Sequence, residues 1–445
     1  MSLPLYESLR SHAQKGRSPF HMPGHKGKLP GWELDQAAFL DITEIPDTGS
    51  LFDDLGPTRA AEELATQYFG TARTLFSAGG STLCIQAMLR LCAPQGGTVL
   101  CSRVMHRSAI NAMALLGIDP VYLYPDHSAG PYFAGRVTPG AVAAALREHP
   151  DARAVYLTSP DYYGVMSDIR GICAQADRHH VPVIVDNAHG AHLYPLDPQL
   201  HPVVQGAVMS ADSAHKTLPV LTGGSFLQIG RAEYIQQAKA AMELFGSTSP
   251  SYLILASLDR CRDWLENGGD AMIRAAADRC RAVKSLAEGM GFLQPEGLCD
   301  PFHIAFSSGN LTAGGARSGE LLRAMGVEPE YASADGIILM PSPMNSEHDY
   351  EMLRRALERL PRTRSARFGC GARSLPRPKT VMRLREALLS PAEELPVDRC
   401  LGRIAAQVKC PCPPAIPVVM PGEELDSDCV AALKNFGVMN IKVVK

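Results

Sequence analysis

No stretch of the 445 residues approaches the roughly 20 consecutive apolar residues that a membrane-spanning helix needs. The opening run, MSLPLYESLRSHAQKG, lacks the uninterrupted apolar core of a secretory signal, so the expected location is the cytoplasm. No charge of one sign dominates either. The 43 Lys and Arg against 46 Asp and Glu leave a formal net charge of −3, which provides no basic field for nucleic acid or an anionic membrane. There is no internal repeat and no long low-complexity tract. Cysteine is present twelve times, but not in a framework. Cys410 and Cys412 form a CxC pair with no second pair at zinc-site spacing. Cys84, Cys92, Cys173 and Cys280 fall in apolar helical runs and read as buried free thiols. His21 and His25 stand four apart, yet Pro23 and Gly24 between them deny the helix that a metal pair would use. No metal site is expected.

What is present is the profile of a soluble globular chain long enough for two or three domains. We expect an N-terminal segment over 1–50, a large domain over 51–290, a small α/β domain over 291–370 and a C-terminal domain over 371–445. The loop RSPFHMPGHKGKLPG is too rich in Pro and Gly for regular helix. A helix is expected from about Arg59 to Phe69. Strands are expected at Thr98–Cys101, Ala154–Leu157, Val183–Val185 and Ala207–Met209, with amphipathic helices between them at Ser81–Cys92 and Gly171–His179. In the first of these helices Ile85, Met88, Leu89 and Cys92 share one face. Strands alternating with helices predict a mainly parallel α/β sheet. Residues 231–290 read as helical. FHIAF and GIILM are strand candidates of the small section, and LPRTRSARFGCGARSLPRPKT reads as a linker.

Three local patterns carry chemistry. Val183-Ile184-Val185 is a buried strand with Asp186 at its carboxyl end, where open parallel sheets bind ligands. Asp186 could equally cap the next helix. Ser81 and Thr82 follow Gly79-Gly80 and open a helix, a combination suited to phosphate, although it also describes an ordinary helix cap. Lys216, in Ser210-Ala211-Asp212-Ser213-Ala214-His215-Lys216-Thr217-Leu218, sits among small and hydroxyl residues before Gly223-Gly224. Partial burial there would lower its pKa as Schiff-base chemistry requires; a surface lysine is the alternative. The order of phosphate anchor, strand-end carboxylate and lysine fits the logic of pyridoxal 5′-phosphate (PLP) enzymes. His189 and His192 would stack or hydrogen-bond beside the ligand rather than bind metal. Asp53-Asp54 is either a counter-charge for a cationic substrate or a solvated loop.

At this point the chain resembles the Orn/Lys/Arg decarboxylases, PLP-dependent enzymes of fold type I with an aspartate-aminotransferase-like large domain. The motifs that carry the resemblance are HMPGHKG (21–27), DITE (41–44), FSAGGST (76–82), HRS (106–108), SPDYYGV (159–165), VDNAHGAH (185–192), SADSAHKTL (210–218), STSPSYLILASLD (247–259) and PPAIPVVMPGE (413–423). They span nearly the whole chain in family order. The resemblance implies that Lys216 holds PLP covalently, that Asp186 pairs with the pyridine nitrogen, and that Ala188 and His106 lie against the two ring faces. Gly80, Ser81, Thr82, Ser213 and His215 would surround the phosphate. Ser247 and Thr248 would reach the phosphate of a neighbouring subunit in a homodimer or larger homo-oligomer. Glu423 would lie in a segment near the substrate entrance, and His215 or Lys216 would return the proton to Cα. Departures are Ala78, where the family has Asn, and Cys412 and Ala415 in a Pro-rich segment. The N-terminal receiver-like domain of the longest family members is also absent. The expected reaction is decarboxylation of arginine, lysine or ornithine, with arginine slightly ahead. Another PLP reaction such as transamination, and a silent partner subunit, are the competing readings.

Overall fold

The computed structural model describes residues 16–20, 24, 49–126, 135–334, 336–363, 375–409 and 417–445. His21, His25, the DITE stretch, most of the linker, and Cys410, Cys412 and Ala415 lie outside the described residues. The short strand β1 (Ser18–Phe20) precedes the helix Gly56–Phe69, and the main sheet then begins. Its strands are β2 (Arg73–Ser77), β3 (Gly97–Ser102), β4 (Ile118–Leu123), β5 (Ala154–Thr158), β6 (Val183–Asp186), β7 (Met209–Asp212) and β8 (Ser225–Ile229). They form seven strands in the order β2-β8-β7-β6-β5-β3-β4. Only β8 runs against its neighbours; the other pairings are parallel.

Strands covered by helices on both faces should be apolar throughout, and β6 (VIVD) and the inner residues of β3 are buried at every position. β7 departs from this rule. Its expected position was Ala207–Met209, but the strand is Met209-Ser210-Ala211-Asp212. The main chain of Met209 through Ala211 pairs on both sides, with β6 and β8. The buried polar side chains satisfy each other, so apolarity was the wrong signal there. Strands β2, β4 and β8 were not anticipated; each carries polar or half-buried residues.

Beyond the helical stretch ending at Gly289, β9 (Ile304–Ser307), β10 (Val327–Pro329), β11 (Tyr331–Ala332) and β12 (Gly336–Leu339) follow. β11-β12-β9 make a three-stranded antiparallel sheet, and β1 pairs in parallel with β10. A last hairpin-like pair, β13 (Ala392–Pro396) with β14 (Asn440–Val444), packs with the helix Ser427–Asn435 around Val397, Val419 and Ile441. The described cysteines are all free, and Cys84, Cys173 and Cys280 are buried. No helix among the described residues is long and apolar enough to cross a membrane.

The segment preceding the main sheet is held by a buried charge. Glu62 is fully buried; its Oε1 accepts from the Phe76 N–H of β2 at 2.8 Å and from Lys239 Nζ at 2.7 Å. Lys239 also donates to the Leu51 carbonyl at 2.6 Å. Burial pushes the Glu62 carboxyl up, and Lys239 and Arg73 pull it back. Lys239→Met should therefore strand a buried carboxyl and cost about 3–5 kcal/mol in urea unfolding, with the Glu62→Gln/Lys239→Met pair losing less. Equal losses from the single and the double variant would refute the pairing.

Candidate active site

Three strand ends and one helix start converge. β5, β6 and β7 run parallel, and their carboxyl ends open on the same edge as the first turn of the helix Gly80–Cys92. The cavity there, about 220 Å³, is lined by Gly80, Ser81, Thr82, His106, Asp186, Ala188, His189, Ser213, His215 and Lys216. Val104, Met105, Thr158 and Tyr162 complete it and were not anticipated.

The turn at Gly80 has φ +68, a conformation that favours glycine, and its N–H donates to the Gly223 carbonyl at 2.8 Å. The next residues begin the helix, so their N–H groups have no intrahelical carbonyl and face an anion site. The hydroxyl of Ser213, on the cavity wall, is buried without a hydrogen-bond partner. An unpaired buried hydroxyl beside a helix start suits a phosphate that would accept from it.

Asp186 is buried at the end of β6. Its Oδ2 accepts from the Tyr156 hydroxyl at 3.1 Å and its Oδ1 from the Ala188 N–H at 3.1 Å, which fixes the carboxylate plane. Tyr156 lies inside the strand, and no local pattern in the sequence marks it as a partner of Asp186. The next strand end is fixed by Asp212, which accepts from Asn187 Nδ2 at 2.9 Å, Ser210 Oγ at 2.9 Å and His201 Nε2 at 2.9 Å. Asn187 follows Asp186 directly, so this carboxylate ties the Asp186 loop to the turn that carries Lys216.

Lys216 lies in the short helix Ala214–Thr217, and its Nζ is 2.9 Å from His189 Nε2. His189 Nδ1 is 2.9 Å from His303 Nε2, and His303 Nδ1 bonds Asp300 Oδ2. Asp300 Oδ1 is 2.7 Å from His192 Nε2, whose ring stacks on Phe302 at 4.2 Å. Burial, with Lys216 and His303 beside it, holds His189 well below the usual imidazole range. Against the upward push of burial, His192 and His303 hold Asp300 well below the usual carboxylate range. Asp300 and His303 gave no sequence signal, because the histidines they meet, His192 and His189, lie more than a hundred residues away. His215 directs Nδ1 to the Gly224 carbonyl at 3.0 Å, which orients its ring toward the cavity it lines.

Other candidates lie elsewhere. His106 caps the helix Arg107–Leu116, its Nδ1 accepting from the Ser108 N–H at 3.2 Å, and it stands exposed at the cavity wall. Ser247 and Thr248 are exposed and line no part of this chain's cavity. Asp54 pairs with Arg73 at 2.7 Å, and Asp53 is exposed on the same loop. Glu423, expected near the substrate entrance, is 1% exposed and forms a bidentate pair with the fully buried Arg103, its Oε2 3.0 Å from Arg103 Nη2. Arg103 also faces the Tyr122 ring at 4.9 Å. This pair anchors the strand end that leads to Val104, Met105 and His106, because a buried guanidinium needs a carboxylate partner. Among the described residues no group of His, Cys, Asp or Glu is placed to hold a metal ion.

Gly24, from the HMPGHKG motif, donates its N–H to the His215 carbonyl at 2.6 Å, and its own carbonyl accepts from Ser342 Oγ at 2.6 Å. A Cβ at Gly24 would come within 2.6 Å of main-chain atoms of Thr217 and Leu218. Gly24→Ala should thus displace the Lys216 turn and weaken PLP retention about tenfold or more, measured by dialysis against a fluorescent read of bound cofactor. Wild-type retention would remove Gly24 from this account. Asp161, in the loop beside Tyr162, is pushed up to about 7 by burial, against N–H donation from Val165 and Tyr163. Its folded value lies above the ordinary 3.8, so its contribution to stability is full below about 3.8 and lost as pH rises through about 7. Asp161→Asn, which keeps an oxygen for those two N–H groups, should flatten the urea midpoint between these values.

Residues 3–295 match the family described as Orn/Lys/Arg decarboxylase, major domain, and residues 376–440 its C-terminal domain. A Bacillus subtilis (strain 168) protein described as uncharacterized, YaaO, is 31% identical, covering 98% of this chain and 94% of its own. Arginine decarboxylase of the same organism is 29% identical over 96% and 92%. The solved lysine decarboxylase A from Pseudomonas aeruginosa superposes with a TM-score of 0.74 at 18% identity, covering 99% of this chain and 80% of that one.

Proposed function

The chain belongs to the Orn/Lys/Arg decarboxylase family, and we propose that within it this protein removes the α-carboxylate of arginine. It is a fold-type-I, PLP-dependent carboxy-lyase of a basic amino acid. The observation that carries the site assignment is the convergence of Lys216, Asp186 and the unpaired Ser213 hydroxyl on one cavity. A ring bearing a phosphate, an aldehyde and a pyridine nitrogen finds a matching group at each point. The preference for arginine is supported by the full-length relatives named arginine decarboxylase. The relatives named lysine decarboxylase are less similar.

When bound, PLP supplies an electron sink for the pair left on Cα as carbon dioxide departs. The protein's share is placement and electrostatics. Lys216 Nζ would hold the cofactor at rest and give way to the substrate amine. Asp186 would accept the ring N–H, and its two fixed donors keep the carboxylate aimed. Gly80, Ser81, Thr82, Ser213 and His215 would hold the phosphate. Ala188 and His106 would confine the ring between them, and His189 sits within reach of the lysine nitrogen. Tyr162, whose hydroxyl donates to Glu330 at 3.0 Å, fixes the outer wall. His215 or Lys216 would return the proton to Cα. Ser247 and Thr248, exposed on this chain, are suited to the phosphate of a second copy in a homodimer. Free thiols at the described cysteines suit the cytoplasm.

Three measurements test the reading. Borohydride should trap the cofactor on Lys216, found by peptide mapping. Carbon dioxide should come from arginine faster than from lysine or ornithine. Lys216→Ala should lower turnover to the protein-free level. A colourless protein that takes up no PLP would sink the assignment; a keto acid without carbon dioxide would point to transamination.

A further inference from the structure

The buried line Lys216–His189–His303–Asp300 has a hydrogen-bond logic of its own. Asp300 is an anion with no proton to give, so His303 Nδ1 must donate to it. Burial lowers His303 against the pull of Asp300, so the ring is neutral at rest and its Nε2 is an acceptor. His189 Nδ1 must then donate to His303, which leaves His189 Nε2 as an acceptor facing Lys216 Nζ. Each step is about 2.9 Å or shorter, and His189, His303 and Asp300 are buried from water. The second oxygen of Asp300 accepts from His192, so the carboxylate is held from both sides.

We propose that His189, His303 and Asp300 form a proton relay that takes the proton of Lys216 while that lysine acts as a nucleophile. The N–H bond of the Lys216 ammonium breaks as one forms at His189 Nε2; the His189 Nδ1–H breaks as one forms at His303 Nε2. The products are a neutral amine at Lys216 and an imidazolium at His303 paired with the Asp300 carboxylate. No proton crosses to solvent, and the positive charge moves from the cavity to a waiting anion. His303 and Asp300 are positioning residues, for neither lines the cavity. The inference rests on Lys216 being the cofactor lysine.

Other charged or titratable groups face the relay. His106 and Asp186 share the cavity with His189, and the Tyr162 ring edge meets it at 5.4 Å. Lys284, from the helix Asp270–Gly289, donates to the Asp300 main-chain carbonyl at 2.7 Å, with Cys280 and Cys299 near it. Since Lys284 meets the carbonyl, the carboxylate oxygens are left to the two histidines and to the Phe302 N–H, which donates to Oδ1 at 3.1 Å.

The test is the rate at which the full-length chain, resolved of cofactor, captures PLP, followed against pH by absorbance. His303→Gln and Asp300→Asn should slow capture on the order of 100-fold at neutral pH. Their rates should converge on wild type as pH passes about 10.4, where a lysine needs no acceptor. Rates depressed equally at every pH would mean a structural role only and overturn the relay. Should neither variant fold, the wild-type capture rate in mixtures of light and heavy water decides. A bowed dependence, from more than one proton in flight, supports the relay; a straight line refutes it. Borohydride trapping on another residue would instead overturn the assignment of Lys216, leaving the two failures distinct.

Discussion

The active-site edge of this protein depends on the carboxylate of Asp212. It is a buried anion inside a sheet, where apolar residues are the rule, and it persists because three donors meet it. One donor, Asn187, belongs to the loop after Asp186; another, His201, comes from the segment between β6 and β7. The carboxylate therefore sets the spacing between the acid at one strand end and the lysine turn at the next. Cofactor chemistry needs these two groups at a fixed separation, and the main-chain pairing of β6 with β7 alone would leave both loops free to shift.

The line of histidines behind Lys216 extends the same principle. Each polar group near the lysine is oriented by one further from it, and the series ends on a buried charge that two rings hold in place. The loop carrying His106 is supported from the other side, where the Arg103–Glu423 pair replaces water for both ions. The cavity is thus walled by side chains whose own orientation is over-determined, which is what a site that must fix one bond of its substrate requires.

Much of this was legible in the sequence. Gly80, Ser81, Thr82, His106, Asp186, Ala188, His189, Ser213, His215 and Lys216 stand in short motifs, and all ten line one cavity. They were readable because each motif joins a local structural signal, such as a strand end or a glycine turn, to a reactive side chain. The parallel sheet was readable from alternating periodicity. β7 was misplaced because its register is set by neighbours on both sides rather than by apolarity. Glu423 was assigned to the entrance by the family resemblance alone, while the arginine that buries it lies 320 residues earlier. Asp300 and His303 left no local trace, since His189 and His192, the rings they meet, are supplied only by tertiary packing.

Gly24 touches the Lys216 turn and is clasped in turn by Ser342, while Arg103 waits for Glu423. During synthesis, then, the lysine turn can be complete only after residue 342 has emerged, and the wall bearing His106 only after residue 423. A nascent chain would carry all of its reactive groups long before it could aim them. An aldehyde cofactor meeting that chain early would find an ordinary amine in an open sheet edge. Reactivity is thereby postponed until Glu423 has joined the fold, a dependence written into contacts between segments 320 residues apart.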